Sequence, residues 1–267
     1  MVSHWFLLFG GFLFGTIVGS FLNVCIGRIP AGESVISPPS RCPKCGIGIP
    51  WYQNIPILSY LVLGGKCASC KTRISVRYPL VEVLTGVLFV FVLFSFGVSW
   101  VTPVYWLFVA TLIVITFIDI DHQIIPDAIS LPGIVVGFLA AFLIPWLAWY
   151  DSLLGILLGG GSLWLVAEVY HRLTGKEGMG GGDIKLLAMM GAFLGWKAML
   201  PVIFFGSLAG SLVGVPLMWL KGADGKLAIP FGPFLALGAW FIYYGASNYW
   251  YGTLACAKGR GFLFGGF

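Results

Sequence analysis

Residues 80–127 read "LVEVLTGVLFVFVLFSFGVSWVTPVYWLFVATLIVITFIDIDHQIIPD", two apolar runs parted by a short break before Pro103, the second ending among carboxylates. Each run comes close to the roughly 20 helical residues that carry a chain across a bilayer. Runs of this kind recur along nearly all of the chain. They fall near Trp5 to Ile26, Leu80 to Ser99, Pro103 to Ile118, Ala128 to Trp149, Ser152 to His171, Ile184 to Ala198, Pro201 to Leu220 and Ile229 to Tyr249. The pattern predicts an all-α, multi-pass membrane protein of about eight spans, with the third and sixth on the short side. Of 267 residues 59% are hydrophobic and 9% charged, against roughly 25% charged in a soluble domain. A cleaved signal sequence would be one short run followed by soluble sequence, so it does not account for the pattern.

Lys and Arg set the expected orientation, because basic loops stay in the cytoplasm. Residues 28–77 hold Arg28, Arg41, Lys44, Lys66, Lys71, Arg73 and Arg77 against the single acid Glu33. Alternating sides from that loop also places Arg172, Lys176, Lys185, Lys221 and Lys226 inside and leaves Lys197, Lys258 and Arg260 outside, with both termini outside. The net charge of +5 therefore reports topology, and no nucleic-acid partner is needed to explain it.

The same interval, from 28 to 78, is the one long polar stretch. It carries "CPKC" at 42–45 and "CASC" at 67–70. Two such pairs fold into knuckles whose thiolates, Cys42, Cys45, Cys67 and Cys70, surround one tetrahedral Zn2+. Two disulfides are the competing reading, disfavoured by a reducing cytoplasm. Four sulfurs close the coordination sphere, so the metal is expected to be structural, in a loop with little core of its own. Cys25 and Cys256 have no partner at useful spacing and read as packing residues.

Acids beside membrane helices are costly and point to function. Asp119, Asp121 and Asp127 follow the third span, and Asp183 stands in "GMGGGDIK" (178–185) before the sixth. The alternation of spans puts Asp119 and Asp183 at the same cytoplasmic depth. Two carboxylates sharing a site hold one proton between them, which supplies a base for water and an acid for a carbonyl oxygen. Gly180, Gly181 and Gly182 leave space for another backbone beside Asp183. The residues alone leave open whether Asp183 caps a helix or does chemistry. A phosphate loop is excluded by the missing Lys-Ser/Thr pair after the last Gly. Two further classes stay open here: an ion- or proton-coupled transporter, and a zinc-stabilised scaffold without chemistry.

Taken together, six blocks resemble the type IV prepilin peptidases. They are "GSFLNVCIGRIP" (19–30), the two Cys pairs around "WYQNIPILSYL" (51–61), "ISVRYPLVEVLTG" (74–86), "IDIDHQIIPD" (118–127), "GMGGGDIKLLAMMGAFLGW" (178–196) and "IPFGPFLALG" (229–238). The resemblance implies a bacterial inner-membrane aspartyl endopeptidase of the G-x-G-D class. Such an enzyme removes the short basic leader of prepilins and pseudopilins after a glycine, on the cytoplasmic side, and N-methylates the new terminus with S-adenosylmethionine. It implies Asp119 and Asp183 as the catalytic pair, with Asp121 the rival for the first place and Asp127 a cap or local hydrogen-bonding group.

Gly180 and Gly182 are expected to support the site. Lys185 is expected to bias Asp183 towards ionisation, to anchor at the lipid surface, or both. Glu82 is expected to receive the basic leader or the new amine, or to pair with Arg77. The expected domains are a first membrane helix (1–27), the four-Cys module (28–78), a seven-helix membrane peptidase domain (79–250) and a tail (251–267). The methyl donor's site is unassigned, since the cytoplasmic loop has no glycine-rich Rossmann turn.

Overall fold

The computed structural model describes residues 2–176, 180–221 and 230–242. The tail from 251, Cys256 and the end of the last expected span lie outside these. The described chain is helical: α1 Val2–Arg28, α2 Leu58–Val62, α3 Arg77–Phe96, α4 Val101–His122, α5 Asp127–Ala140, α6 Trp149–Thr174, α7 Gly181–Leu194, α8 Met199–Lys221 and α9 Gly232–Ile242. Helices are what apolar runs must form in lipid, where each backbone N–H and C=O needs a partner within its own segment. Among the described residues extended pairing is limited to two isolated bridges, Arg41 with Gly48 and Lys66 with Arg73, both in the four-Cys module.

Among the described residues five helices are long and apolar enough to cross a membrane: α1, α3, α4, α6, and α8 with the turn before it. Among the described residues the eight expected spans correspond to five helices of crossing length and the shorter apolar helices α5, α7 and α9, the last described only as far as Ile242. Two boundaries differ instructively from the sequence reading. The third span is not short: α4 runs for 22 residues and carries Asp119 and Asp121 inside its last turn, where a glycine N–H and an arginine receive them. The fourth stops at Ala140 although the sequence stays apolar to Trp149. Pro145 disfavours helix at the residue before it, and the run continues as turns that still bury Ile144 and Leu147.

α7, at 14 residues, spans about 21 Å, short of a hydrocarbon core of about 30 Å. It is wrapped by protein instead: Leu186 through Phe193 are all buried, the signature of a helix apolar all round. Glycines make the wrapping possible. A Cβ on Gly155 of α6 would lie 2.2 Å from the carbonyl oxygen of Gly191 on α7, so the two backbones touch. Ser152 Oγ fastens the same seam by donating to the Ala192 carbonyl at 2.8 Å. On the opposite flank α5 meets α7 through Gly133 and Gly137.

α4 is the other central helix. Tyr105 OH donates to the Phe193 carbonyl of α7 at 3.4 Å, and Trp106 Nε1 donates to the Phe89 carbonyl of α3 at 3.0 Å. With α4 and α7 both held in the interior, the end of one and the start of the other are brought to the same face.

Candidate active site

Asp119 lies in the last turn of α4, 5% exposed. Gln123 ends the helix in the left-handed conformation (φ 55°), its N–H donating to the Asp119 carbonyl at 2.9 Å. The Asp119 side chain accepts from a distant element: the N–H of Gly232, first residue of α9, donates to Oδ2 at 2.9 Å. Asp183 is half-buried in the first turn of α7 and stands close enough to Asp119 for their charges to repel. The cap position of α7 is Gly180, which makes no side-chain capping bond, so Asp183 sits three residues inside the helix start and is not its N-cap.

The glycines before Asp183 divide by role. Gly180 has extended geometry (φ −72°), so its backbone does not require glycine for conformation. What the glycines provide is space. A Cβ on Gly182 would come within 2.8 Å of Ile125, whereas among the described residues nothing lies within 4 Å of one on Gly180 or Gly181. Gly182 thus lets the loop after α4 press against the start of α7. Gly180 and Gly181 are exposed, immediately before Asp183 in sequence.

The other acids singled out from the sequence are occupied. Asp121 is ion-paired with Arg77 at the start of α3, and that guanidinium also lies 5.8 Å over the Phe117 ring. Asp127 accepts both ways from Lys185 Nζ, at 2.7 and 2.8 Å. Lys185 therefore ties α7 to α5. Glu82 is buried in α3, and its Oε2 accepts the N–H of Ile57 at 2.7 Å. Ile57 has φ 62° at the start of α2, a conformation costly for a β-branched residue. The carboxylate thus holds a strained turn of the polar segment against the membrane helices. Gly232 is the contact that residue-by-residue reading misses. Its block "IPFGPFLALG" carries a signal only in retrospect, a glycine opening a helix where a buried acid needs a donor.

In the four-Cys module all four sulfurs lie within 4.8 Å of one another. Cys42 Sγ and Cys70 Sγ are 3.8 Å apart, the edge of a tetrahedron whose metal–sulfur bonds are about 2.3 Å. None of the four is in a disulfide. The two knuckles repeat one hydrogen-bond pattern. Cys42 N donates to Ile47 O and Gly46 N to Cys42 O; Cys67 N donates to Thr72 O and Lys71 N to Cys67 O. The left-handed position is Gly46 in the first knuckle (φ 72°) and Lys71 in the second (φ 55°). Backbone hydrogen bonds from Cys45 and Lys44 hold the Cys42 thiol down to about 6, a shift toward the thiolate, while Cys45 is pushed the other way, to about 11.

Fold and site together define a class: multi-pass helical membrane proteins with two adjoining carboxylates at one helix boundary and a four-thiolate module on a polar insertion. The chain belongs to the type IV leader peptidase family, whose model matches residues 106–215, while that of the Bacterial Peptidase A24 N-terminal domain matches residues 13–96. It is an enzyme, a membrane-embedded peptidase. Similar curated proteins include the prepilin leader peptidase/N-methyltransferase of Neisseria gonorrhoeae, 42% identical over 260 residues, with 88% of this chain and 90% of that protein covered. Those of Pseudomonas aeruginosa (40%, covering 85% of this chain and 87% of that one) and Aeromonas hydrophila (39%, covering 91% and 92%) carry the same name. No solved structure matches the chain.

Proposed function

We propose that this enzyme cleaves the short basic leader of prepilins and pseudopilins after a glycine, at the cytoplasmic face of the bacterial inner membrane, using Asp119 and Asp183. The observation that carries the reading is the approach of Asp183 to a buried Asp119 at the junction of α4 and α7, with the exposed Gly180 and Gly181 just before it. One carboxylate takes a proton from water, the water oxygen bonds to the scissile carbonyl carbon, and the other carboxyl protonates the carbonyl oxygen. The tetrahedral intermediate collapses as the C–N bond breaks and the leaving nitrogen takes a proton back from the pair. No acyl-enzyme is formed.

Placement at the cytoplasmic face is supported by the ends that meet there. The basic insertion, the Arg77–Asp121 pair, the Lys185–Asp127 pair and both carboxylates share one end of the bundle. The insertion at 28–78 then faces the cytoplasm, and residues from 79 onward form the membrane peptidase domain, embedded in lipid. The four thiols fit a zinc ion by number, spacing and softness. Cys42, Cys45, Cys67 and Cys70 would hold it, and the ion would supply the cross-link that the loop's small core lacks.

Methylation of the newly exposed N-terminus by S-adenosylmethionine follows from the relatives' shared name. The described residues include no glycine-rich nucleotide-binding turn, so no step above runs through the donor. The test is cleavage of a prepilin peptide by purified enzyme in detergent or liposomes, with Asp119→Asn and Asp183→Asn alongside. Processing by either variant at the wild-type rate overturns the catalytic assignment. Label transferred from S-adenosylmethionine to a cleaved pilin peptide decides the second activity separately.

A further inference from the structure

The geometry points to a division of labour in the pair: Asp119 enters the reaction ionised, held so by the N–H of Gly232 at the start of α9, and Asp183 is the carboxyl that donates its proton. The inference deepens the peptidase reading above and rests on it. Gly232 is a positioning residue, since it touches the carboxylate and not the substrate.

The argument begins with what each carboxylate receives. Asp119 Oδ2 accepts the Gly232 N–H at 2.9 Å, and a hydrogen bond to the charged form favours that form. Asp183 has a charged neighbour in Asp119 and no such donor among the bonds of the described residues. Helix ends act on both groups. The start of α7 favours charge on Asp183, the end of α4 disfavours it on Asp119, and the start of α9 favours it on Asp119. The two ends acting on Asp119 oppose each other, and burial disfavours charge on both carboxylates. What separates the pair is the direct bond to Asp119: a helix-end field is weak and screened, whereas a hydrogen bond to an ionised acceptor is about twice as strong as a neutral one.

Among the described residues two charged pairs near the site neutralise each other, Arg77 with Asp121 and Lys185 with Asp127, and His122 shares the last turn of α4 with Asp119. Glycine is required at position 232 by space. A Cβ on residue 232 would lie 2.8 Å from Asp119 Oδ2 and 3.4 Å from its Cγ, so any side chain pushes the carboxylate off its donor.

With these roles each proton is accounted for. Water gives one proton to Asp119 as its oxygen bonds to the carbonyl carbon, and Asp183 gives its own to the carbonyl oxygen. On collapse Asp119 returns a proton to the leaving nitrogen as the C–N bond breaks, and Asp183 recovers its proton from the hydroxyl that becomes the new carboxyl carbonyl. The enzyme ends as it began.

The test is the pH dependence of peptide cleavage by Gly232→Ala. If Asp119 is the base, loss of its donor makes it harder to ionise, so the acid limb of the rate profile moves to higher pH while the alkaline limb stays. If Asp183 is the base, the acid limb stays and the alkaline limb moves up, because Asp119 as the acid holds its proton longer. Gly210→Ala is the packing control: its Cβ would meet Phe234 of α9 at an ordinary 3.5 Å, and it should leave both limbs in place. At its optimum Gly232→Ala should lose about 10-fold or more in kcat with KM little changed.

A second measurement needs no variant. An aryl glycidyl ether esterifies ionised carboxylates, and peptide mapping of the wild-type enzyme should find the ester on Asp119. An ester on Asp183, on both or on neither, or an acid limb unmoved in Gly232→Ala, overturns the division of labour. Unimpaired cleavage by Asp119→Asn or Asp183→Asn would instead overturn the peptidase site itself, so the two failures are told apart.

Discussion

The four-Cys module and the carboxylate pair are built in opposite ways. The module is local: two knuckles repeat one hydrogen-bond pattern, and their sulfurs converge because each C-x-x-C turn aims its own pair. The carboxylates come from α4 and α7 and are completed by α9, so their meeting depends on how whole helices pack. Chemistry set by spacing survives changes elsewhere in the chain. Chemistry set by packing depends on seams far from the reacting atoms.

The largest effect expected from breaking this contrast is at the pair. Asp119→Asn or Asp183→Asn should lower peptide cleavage by about 10²–10⁴-fold or more, while detergent gel filtration shows the same monodisperse protein. Next is the module. If the four thiols hold the proposed zinc, Cys42→Ser or a strong chelator should release it and make the insertion at 28–78 sensitive to limited proteolysis, since a structural zinc contributes folding energy outright. Because the site is assembled elsewhere, residual cleavage should remain. Complete loss would show that the module takes part in the reaction.

A seam variant comes third. Gly155→Ala puts a methyl 2.2 Å from the Gly191 carbonyl oxygen, a backbone atom with little freedom to give way. Overpacking of this kind costs about 1–3 kcal/mol. The expected outcome is a lower melting temperature together with reduced cleavage, although residue 155 is remote in sequence from both aspartates. The smallest effect is expected from Lys185→Met. The Lys185–Asp127 pair is half-exposed, with side-chain exposures of 37% and 57%, and such a pair contributes about 0–1 kcal/mol. A large activity loss there would mean that Lys185 acts on Asp183 directly.

What could be read from the sequence follows the same division. The four-Cys cluster is legible because its chemistry is short-range. The helical class is legible because lipid imposes it, and the acids because they are costly there. The third span was underestimated because Asp119 looks like an end; Gly232 and Arg77, the partners that let α4 continue past it, are remote in sequence. The fourth was overestimated because hydropathy does not register Pro145. Lys185 and Asp121 have uses set by partners on α5 and α3, which no local pattern names. Glu82 was expected to meet a leader or Arg77; in the structure it meets a backbone N–H, and Arg77 is on Asp121.

That last contact bears on how separable the two halves are. The polar insertion looks like a unit that shuffling or truncation could remove, joined to the bundle only at α1 and α3. Glu82 makes it a keystone. Excision of residues 28–76 would leave a buried carboxylate without its Ile57 donor, at a cost of about 1–3 kcal/mol. A shortened chain would therefore need a compensating change at residue 82, and Glu82→Gln or Glu82→Leu is where a search for a minimal, module-free peptidase should begin.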